Sequence, residues 1–263
     1  MNNSRILQRF RLDGKVAIIT GASKGIGESM ARGLAEFGAK VVISSRKQEA
    51  VDEVAANFSN DGLEAIGIAC HVAQAEAREA LVQKTIDTYG RVDILINNAG
   101  TNPYFGPIHK MPAEAYQKTL DINLNAALEL SNLFFPHLKA QGEGGSIIHI
   151  SSVEGLHASE NFGAYNISKA GLLMLTKSQA VEWGKHNIRV NAICPGFVKT
   201  KLSAMIWQNE QMHERLVSRT PLRRMAMPDD MAGLAVFLAS EASNFCTGEV
   251  IVNDGGLLHA PSF

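Results

Sequence analysis

The sequence predicts a doubly wound α/β domain, and two observations carry that expectation. Seven short segments rich in Val and Ile recur along the chain, and stretches of helical length with apolar residues at helical spacing separate most of them. Strand and helix alternating this often imply a parallel sheet covered by helices on both faces. At 263 residues and 46% hydrophobic content, the chain has apolar material for one large core or two small ones. No Pro/Gly/Ser linker, composition shift or internal repeat divides it, so residues 1–263 are expected to form a single domain.

In chain order the expected strands are K-V-A-I-I-T (15–20), V-V-I-S-S (41–45), A-I-G-I-A-C (65–70), D-I-L-I-N-N (93–98), S-I-I-H-I-S (146–151), I-R-V-N-A-I (188–193) and E-V-I-V-N-D (249–254). The helices expected between them cover residues 26–37, 48–60, 76–89, 112–138 and 164–186.

Composition excludes several classes of function. Lys and Arg number 25 against 26 Asp and Glu, a net charge of −1 without a dense run of either sign, so no nucleic-acid partner is expected. Cys70, Cys194 and Cys246 are odd in number and widely spaced, which fits neither a disulfide framework nor a zinc site. His109, His137, His149, His157, His186, His213 and His259 show no metal-ligand spacing, and no metal is expected. No apolar run approaches the roughly 20 residues of a membrane span, and the first ten residues lack the apolar block of a signal peptide. A soluble cytoplasmic protein without a membrane partner is the expectation.

In a doubly wound sheet the ligand crevice opens at the carboxyl ends of the strands, where the winding reverses. The first strand ends in T-G-A-S-K-G-I-G (20–27) and runs into a helix. Gly21 suits a tight turn, Gly25 a close backbone approach to a pyrophosphate, and Gly27 close helix packing, with free N–H groups at the helix start. The spacing differs from G-x-G-x-x-G, and an ordinary glycine-rich turn is the alternative. The fourth strand ends in N-N-A-G (97–100), where small residues leave room for a flat ring or ribose, or form a tight turn. Asn123 sits in an apolar helix, where a buried amide needs partners.

The fifth strand places Ser151 and Ser152 at its tip, and the next helix begins A-Y-N-I-S-K (164–169). Tyr165 and Lys169 are four apart and share a helix face. A free phenol holds its proton to about pH 10 and an ammonium to about 10.4, so neither alone is a useful acid or base at neutral pH.

Together these motifs resemble the short-chain dehydrogenase/reductase superfamily, in its single-domain branch of about this length. T-G-A-S-K-G-I-G, N-N-A-G, Asn123, Ser152, Y-N-I-S-K, C-P-G-F-V-K-T (194–200) and T-G-E-V-I-V-N-D-G-G (247–256) occur in the family's order, across roughly residues 10–257. The resemblance implies a Rossmann-like fold and hydride transfer between a nicotinamide and a carbonyl or secondary alcohol. It makes Tyr165 the general acid or base, with Lys169 lowering the phenol's pKa and binding the nicotinamide ribose. Ser152 would hold the substrate oxygen, and Asn123 a water that links Lys169 to solvent.

The resemblance also assigns the cofactor's surroundings to Gly21, Ser23, Lys24, Gly25, Ile26 and Gly27, to Ser45 and Arg46, and to His71 and Val72. Asn98, Ala99 and Gly100 follow, then Pro195, Gly196, Val198 and Thr200. The family's nicotinamide-dinucleotide users usually carry an acid at the end of strand two. Here the stretch is I-S-S-R-K (43–47), and Arg46, with Lys24, suits a 2'-phosphate, so NADP(H) is favoured over NAD(H). Arg46 and Lys47 as solvated helix-start residues are the alternative. At the end of strand three Cys70-His71-Val72 replaces the usual Asp-Val, and His71 is left open between an adenine contact and a structural histidine.

Substrate-side residues are expected to be Ser152, Glu154, Tyr165, Phe105, Phe162, Phe197, Met205 and Trp207, the last two on a lid of about residues 198–220. This lining favours a lipophilic or aromatic carbonyl, unless the lid residues only pack against the body. Several stretches look like the NADPH-dependent carbonyl and retinal reductase branch of animal peroxisomes. That branch ends in S-R-L or S-K-L, whereas this chain ends A-P-S-F, so import by that signal is not expected. R-T-P-L-R-R-M (219–225) also resembles 3-oxoacyl thioester reductases. A non-catalytic cofactor-binding protein is a third possibility, disfavoured by intact Asn123, Ser152, Tyr165 and Lys169. The family resemblance implies a homotetramer, or a dimer, built on the two long helices.

Overall fold

A computed structural model describes residues 5–259; the terminal A-P-S-F lies outside the described residues. Within them the apolar segments form β1 (Val16–Thr20), β2 (Lys40–Ser45), β3 (Ala65–Ala69), β4 (Ile94–Asn97), β5 (Gly145–Ile150), β6 (Ile188–Pro195) and β7 (Val250–Asn253). All neighbours pair in parallel in the order β3-β2-β1-β4-β5-β6-β7. Every residue of β1 and β4 is buried, which is why these strands read as unbroken apolar runs.

The helices are α1 (Arg5–Gln8), α2 (Ile26–Glu36), α3 (Gln48–Asn60), α4 (Ala75–Tyr89), α5 (Ala113–Leu120), α6 (Ala126–Gln141), α7 (Gly163–Trp183), α8 (Ala204–Trp207), α9 (Glu210–Arg219) and α10 (Ala232–Ala239). One core joins α2, α3 and α10 to the sheet through Met30, Leu34, Phe58 and Val236. The other joins α4, α6 and α7 through Leu81, Leu130, Phe134 and Trp183. A two-faced sheet of this kind leaves its ligand crevice at the strand tips, between β1 and β4, whose chain connections leave in opposite directions.

Two expected helices differ in detail. The helix expected over 112–138 is interrupted by a π turn at Asp121–Asn125 between α5 and α6. Such a turn adds one residue to the helical repeat and re-aims the side chains beside it. Here it carries the buried Asn123. The helix expected over 164–186 ends at Trp183 and closes in a 3-10 turn, with Asn187 left-handed at φ 59°. The segment expected as a lid over 198–220 holds two short helices, α8 and α9. Among the described residues no helix is long and apolar enough to cross a membrane.

Candidate active site

The tips of β1 and β4 are stitched into one floor. Thr20 Oγ1 accepts from the Asn98 and Ala99 amides at 3.0 and 3.1 Å, and Asn98 Nδ2 donates to the Thr20 carbonyl at 2.8 Å. A Cβ at Gly27 would come within 2.5 Å of Asn98 Nδ2 and 2.6 Å of the Gly21 carbonyl, so the glycine turn lies directly on N-N-A-G. Gly21 holds φ +65°, which an L side chain rarely adopts. α2 then starts after Gly25 without a side-chain cap. Its first-turn N–H groups face the cleft end of the strands and suit a phosphate.

Above this floor is a cleft of about 870 Å³. Every cofactor-side and substrate-side residue expected from the sequence borders it, from Gly21 to Trp207. Asn123, expected among the catalytic residues, does not.

Ser152 follows β5 and caps a 3-10 turn, its Oγ accepting from the Glu154 amide at 3.1 Å. Tyr165 and Lys169 project from α7 into the same region. Lys169 is buried, its Nζ donating to the Ile150 carbonyl at 2.7 Å and lying 5.6 Å from the Tyr165 ring centroid. Burial pulls this ammonium down to about 8.

The phenol behaves differently from the sequence-based expectation. Although the ring is partly open to the cleft, desolvation pushes Tyr165 up to about 12, opposed by a hydrogen bond with Ser152 and reinforced by the nearby Glu154 charge. Lys169 is directed at the Ile150 carbonyl rather than at the phenol oxygen. The chain's own groups therefore keep the phenol protonated, as a proton donor requires.

Asn123 has a structural task that the sequence did not show. Its Oδ1 accepts from the Thr101 amide at 2.8 Å, while its Nδ2 donates to the Thr101 carbonyl and to Ser168 Oγ, each at 3.0 Å. Both N–H groups of the amide are thus taken by protein partners, while Oδ1 accepts one bond and keeps a second acceptor position. Asn123 clamps the loop after β4 to α7, and its Oδ1 and Lys169 Nζ flank Gly100.

At the other end, Ser23 Oγ donates to Ser45 Oγ at 3.1 Å and joins the glycine turn to the tip of β2. Arg46 and Lys24 are exposed on the cleft wall, and among the described residues neither meets a carboxylate. Two unpaired cations beside a bare helix start fit a phosphorylated ribose. His71 Nδ1 accepts from the Ala73 amide at 3.3 Å, so only its other nitrogen can serve a ligand.

On the substrate side Phe105, Phe162 and Tyr165 form an edge-to-face series, with centroids 5.1 and 6.1 Å apart. Glu154 is buried and accepts from the Ser159 amide and hydroxyl, so its carboxylate fixes its own loop. Trp207 donates its indole N–H to the Thr200 carbonyl at 2.8 Å and has none left for a substrate.

Lys118, Ile122, Met227 and Pro228 also border the cleft and were missed. Lys118 and Ile122 are four apart on the helix leading to Asn123, a spacing that could have found them. Met227 and Pro228 could not be found that way. A bridge between Val198 and Ala226 brings them in from a distant part of the chain.

This fold and this site define an oxidoreductase acting at a hydroxyl-bearing or carbonyl carbon. The chain belongs to the short-chain dehydrogenase/reductase family. The family model described as Enoyl-(Acyl carrier protein) reductase matches residues 21–258. Dehydrogenase/reductase SDR family member 4 of Homo sapiens is 42% identical over 256 residues, covering 97% of this chain and 92% of that protein. Its Caenorhabditis elegans namesake is 39% identical, covering 94% and 96%. Among solved structures, gluconate 5-dehydrogenase from Burkholderia cenocepacia J2315, in complex with NADP and tartrate, aligns with a TM-score of 0.93 at 34% identity. That match covers 97% of this chain and 99% of the other.

Proposed function

We propose that the chain is an NADP(H)-dependent reductase of ketones or aldehydes, with Tyr165 as the group that passes the proton. The observation that carries this is the meeting, in one cleft, of Ser152, Tyr165 and Lys169 with the glycine turn and Arg46. The reduced nicotinamide, when bound, supplies a hydride to the carbonyl carbon. Tyr165 gives its phenolic proton to the carbonyl oxygen as charge develops there, and takes it back from the alcohol in the reverse direction. Ser152 donates a hydrogen bond to the same oxygen. Lys169 remains an ammonium near neutral pH and steadies the phenolate left behind. Asn123 acts behind them, keeping the loop at Thr101 and α7 in register.

Arg46 and Lys24 favour the 2'-phosphate of NADP(H) over the 2'-hydroxyl of NAD(H), in keeping with the NADP in the Burkholderia relative. Phe105, Phe162, Phe197 and Met205 suit a lipophilic or aromatic carbonyl. A homotetramer in the cytoplasm completes the proposal. Exposed Leu128, Met174 and Val181 on the two long helices and Phe245 near β7 supply apolar surface for self-association.

A panel of carbonyl compounds and the matching alcohols, followed by NADPH and NADH absorbance, tests this. Consumption of NADPH with an aromatic aldehyde or diketone is expected; no turnover with any carbonyl rejects it. A second reading, reduction of 3-oxoacyl thioesters, is favoured by R-T-P-L-R-R-M and by the acyl-carrier description of the matching family model. Activity on acetoacetyl thioesters but not on free diketones would select it.

A further inference from the structure

After β6 the chain makes a compact knot at the mouth of the cleft. Val198 is bridged to Ala226, and the Lys199 amide donates to the Ala226 carbonyl at 2.8 Å, so this segment is held to the body. The Thr200 amide donates to Ser203 Oγ at 3.1 Å. The Thr200 carbonyl, in turn, accepts the Trp207 indole N–H at 2.8 Å, and Lys199 Nζ lies 5.2 Å from the centroid of the same ring. Thr200 faces the glycine turn, its methyl 3.4 Å from where a Cβ on Gly25 would sit.

Trp207 therefore belongs to both halves of the cleft. Its ring lines the wall beside Met205 and Ile206, and its N–H reaches back to the residue that touches the phosphate turn. α8 has only four residues and no side-chain cap. A helix that short does not hold itself in place, so its position depends on its attachments. A phenylalanine could fill the same wall but could not make this bond, because only the indole carries a donor.

We propose that Trp207 is a positioning residue that couples the two binding events: through the Thr200 carbonyl it ties the substrate wall to the cofactor turn, so that each ligand tightens the other. This rests on the NADP(H)-dependent carbonyl reductase reading of the site. Coupling of this kind is reciprocal, and one ligand must change the affinity of the other by the same factor in either order.

The test uses NADP+ and 1-phenyl-1,2-propanedione, an oxidised pair between which no hydride can pass. Calorimetry gives the Kd of NADP+ with and without saturating diketone. For the unmodified chain the diketone is expected to tighten NADP+ by about fivefold or more. In Trp207→Phe, which keeps the ring and loses the donor, the ratio is expected to fall close to 1. A merely structural role would weaken each ligand alone and leave the ratio intact; an intact ratio in Trp207→Phe overturns the proposal. A ratio of 1 in the unmodified chain overturns it without any variant, while turnover of carbonyls with NADPH in the same preparation leaves the reductase assignment standing. Failure of NADP+ to bind and of any carbonyl to turn over rejects both.

Discussion

Lys169 Nζ is anchored at 2.7 Å to the Ile150 carbonyl while it faces the Tyr165 ring at 5.6 Å. The ammonium is thus fixed to the tip of β5, beside the phenol ring and bonded to backbone. Both groups pay the cost of desolvation, in opposite directions. Tyr165 is held protonated and Lys169 is brought toward neutrality.

The first prediction concerns pH. Lys169 is lowered from 10.5 to about 8, so its positive charge is lost as pH rises through about 8. The phenolate formed during reduction then lacks its nearby cation, and kcat for carbonyl reduction is expected to fall above that pH. The stability effect has the other sign. Between about 8 and 10.5 the unfolded chain binds the proton more tightly than the folded one, so Lys169's contribution to stability rises with pH in that window. Tyr165, raised from 10 to about 12, destabilises the fold only as pH climbs through that higher range. A kcat profile paired with thermal unfolding at each pH separates the two; a kcat that stays level from neutrality to pH 10 contradicts the assignment.

Tyr165→Phe removes the proton that is passed and the hydrogen bond with Ser152, while the ring packing with Phe162 is retained. Loss of a general acid lowers kcat by about a hundredfold or more. NADPH affinity, measured by titration, should change by less than about threefold, well under the effect on turnover. A variant that turns over like the parent removes Tyr165 from the mechanism.

Arg46→Ala tests the cofactor preference. Arg46 is exposed at the tip of β2, with Ser45 held by Ser23 beside it. A guanidinium grips a phosphate with charge-assisted bonds that a hydroxyl cannot return. The KM for NADPH is expected to rise by about tenfold, while that for NADH changes little. Equal shifts for both cofactors would mean that Arg46 does not recognise the phosphate.

Much of this site was legible because strand tips and helical spacing are local properties. Ser152 follows β5, Tyr165 and Lys169 are one turn apart on α7, and the glycine turn follows β1, so topology alone assembles them. What escaped depends on backbone partners and burial. The π turn at Asn123 is hidden because one added residue barely disturbs an apolar pattern of period 3.6. Trp207 reads as a substrate contact until its N–H is seen on the Thr200 carbonyl, an acceptor common to every residue and marked by none. The elevated phenol was missed for a related reason: the sequence shows that Lys169 is near, but not how completely protein surrounds Tyr165.

The last prediction concerns a buried polar chain beneath the site, which joins β4 and β5 to α6 and α7. Asn97 Nδ2 is 3.1 Å from Ser131 Oγ and 3.2 Å from His149 Nδ1, and His149 Nε2 is 2.9 Å from Gln179 Oε1. The Asn97 amide can only donate to Nδ1, so Nε2 carries the proton and donates to Gln179. A second proton on the ring would point at Asn97's N–H and have no acceptor. Burial accordingly pulls His149 from 6.5 down to about 4. The unfolded chain takes up this proton near 6.5 and the folded chain only near 4, so the contribution is complete above 6.5 and is lost as pH falls toward 4. The loss across that window is on the order of 3 kcal/mol. Glu143 and Asp230, held below their usual 4.5 and 3.8 by Arg91 and Arg224, lose their contributions only as pH falls below those values. Chemical unfolding of the parent and His149→Gln at several pH values isolates the histidine. The variant should be less stable at pH 7 yet show a flatter decline between 6.5 and 4.5, whereas parallel curves would mean that His149 does not set the acid sensitivity of the fold.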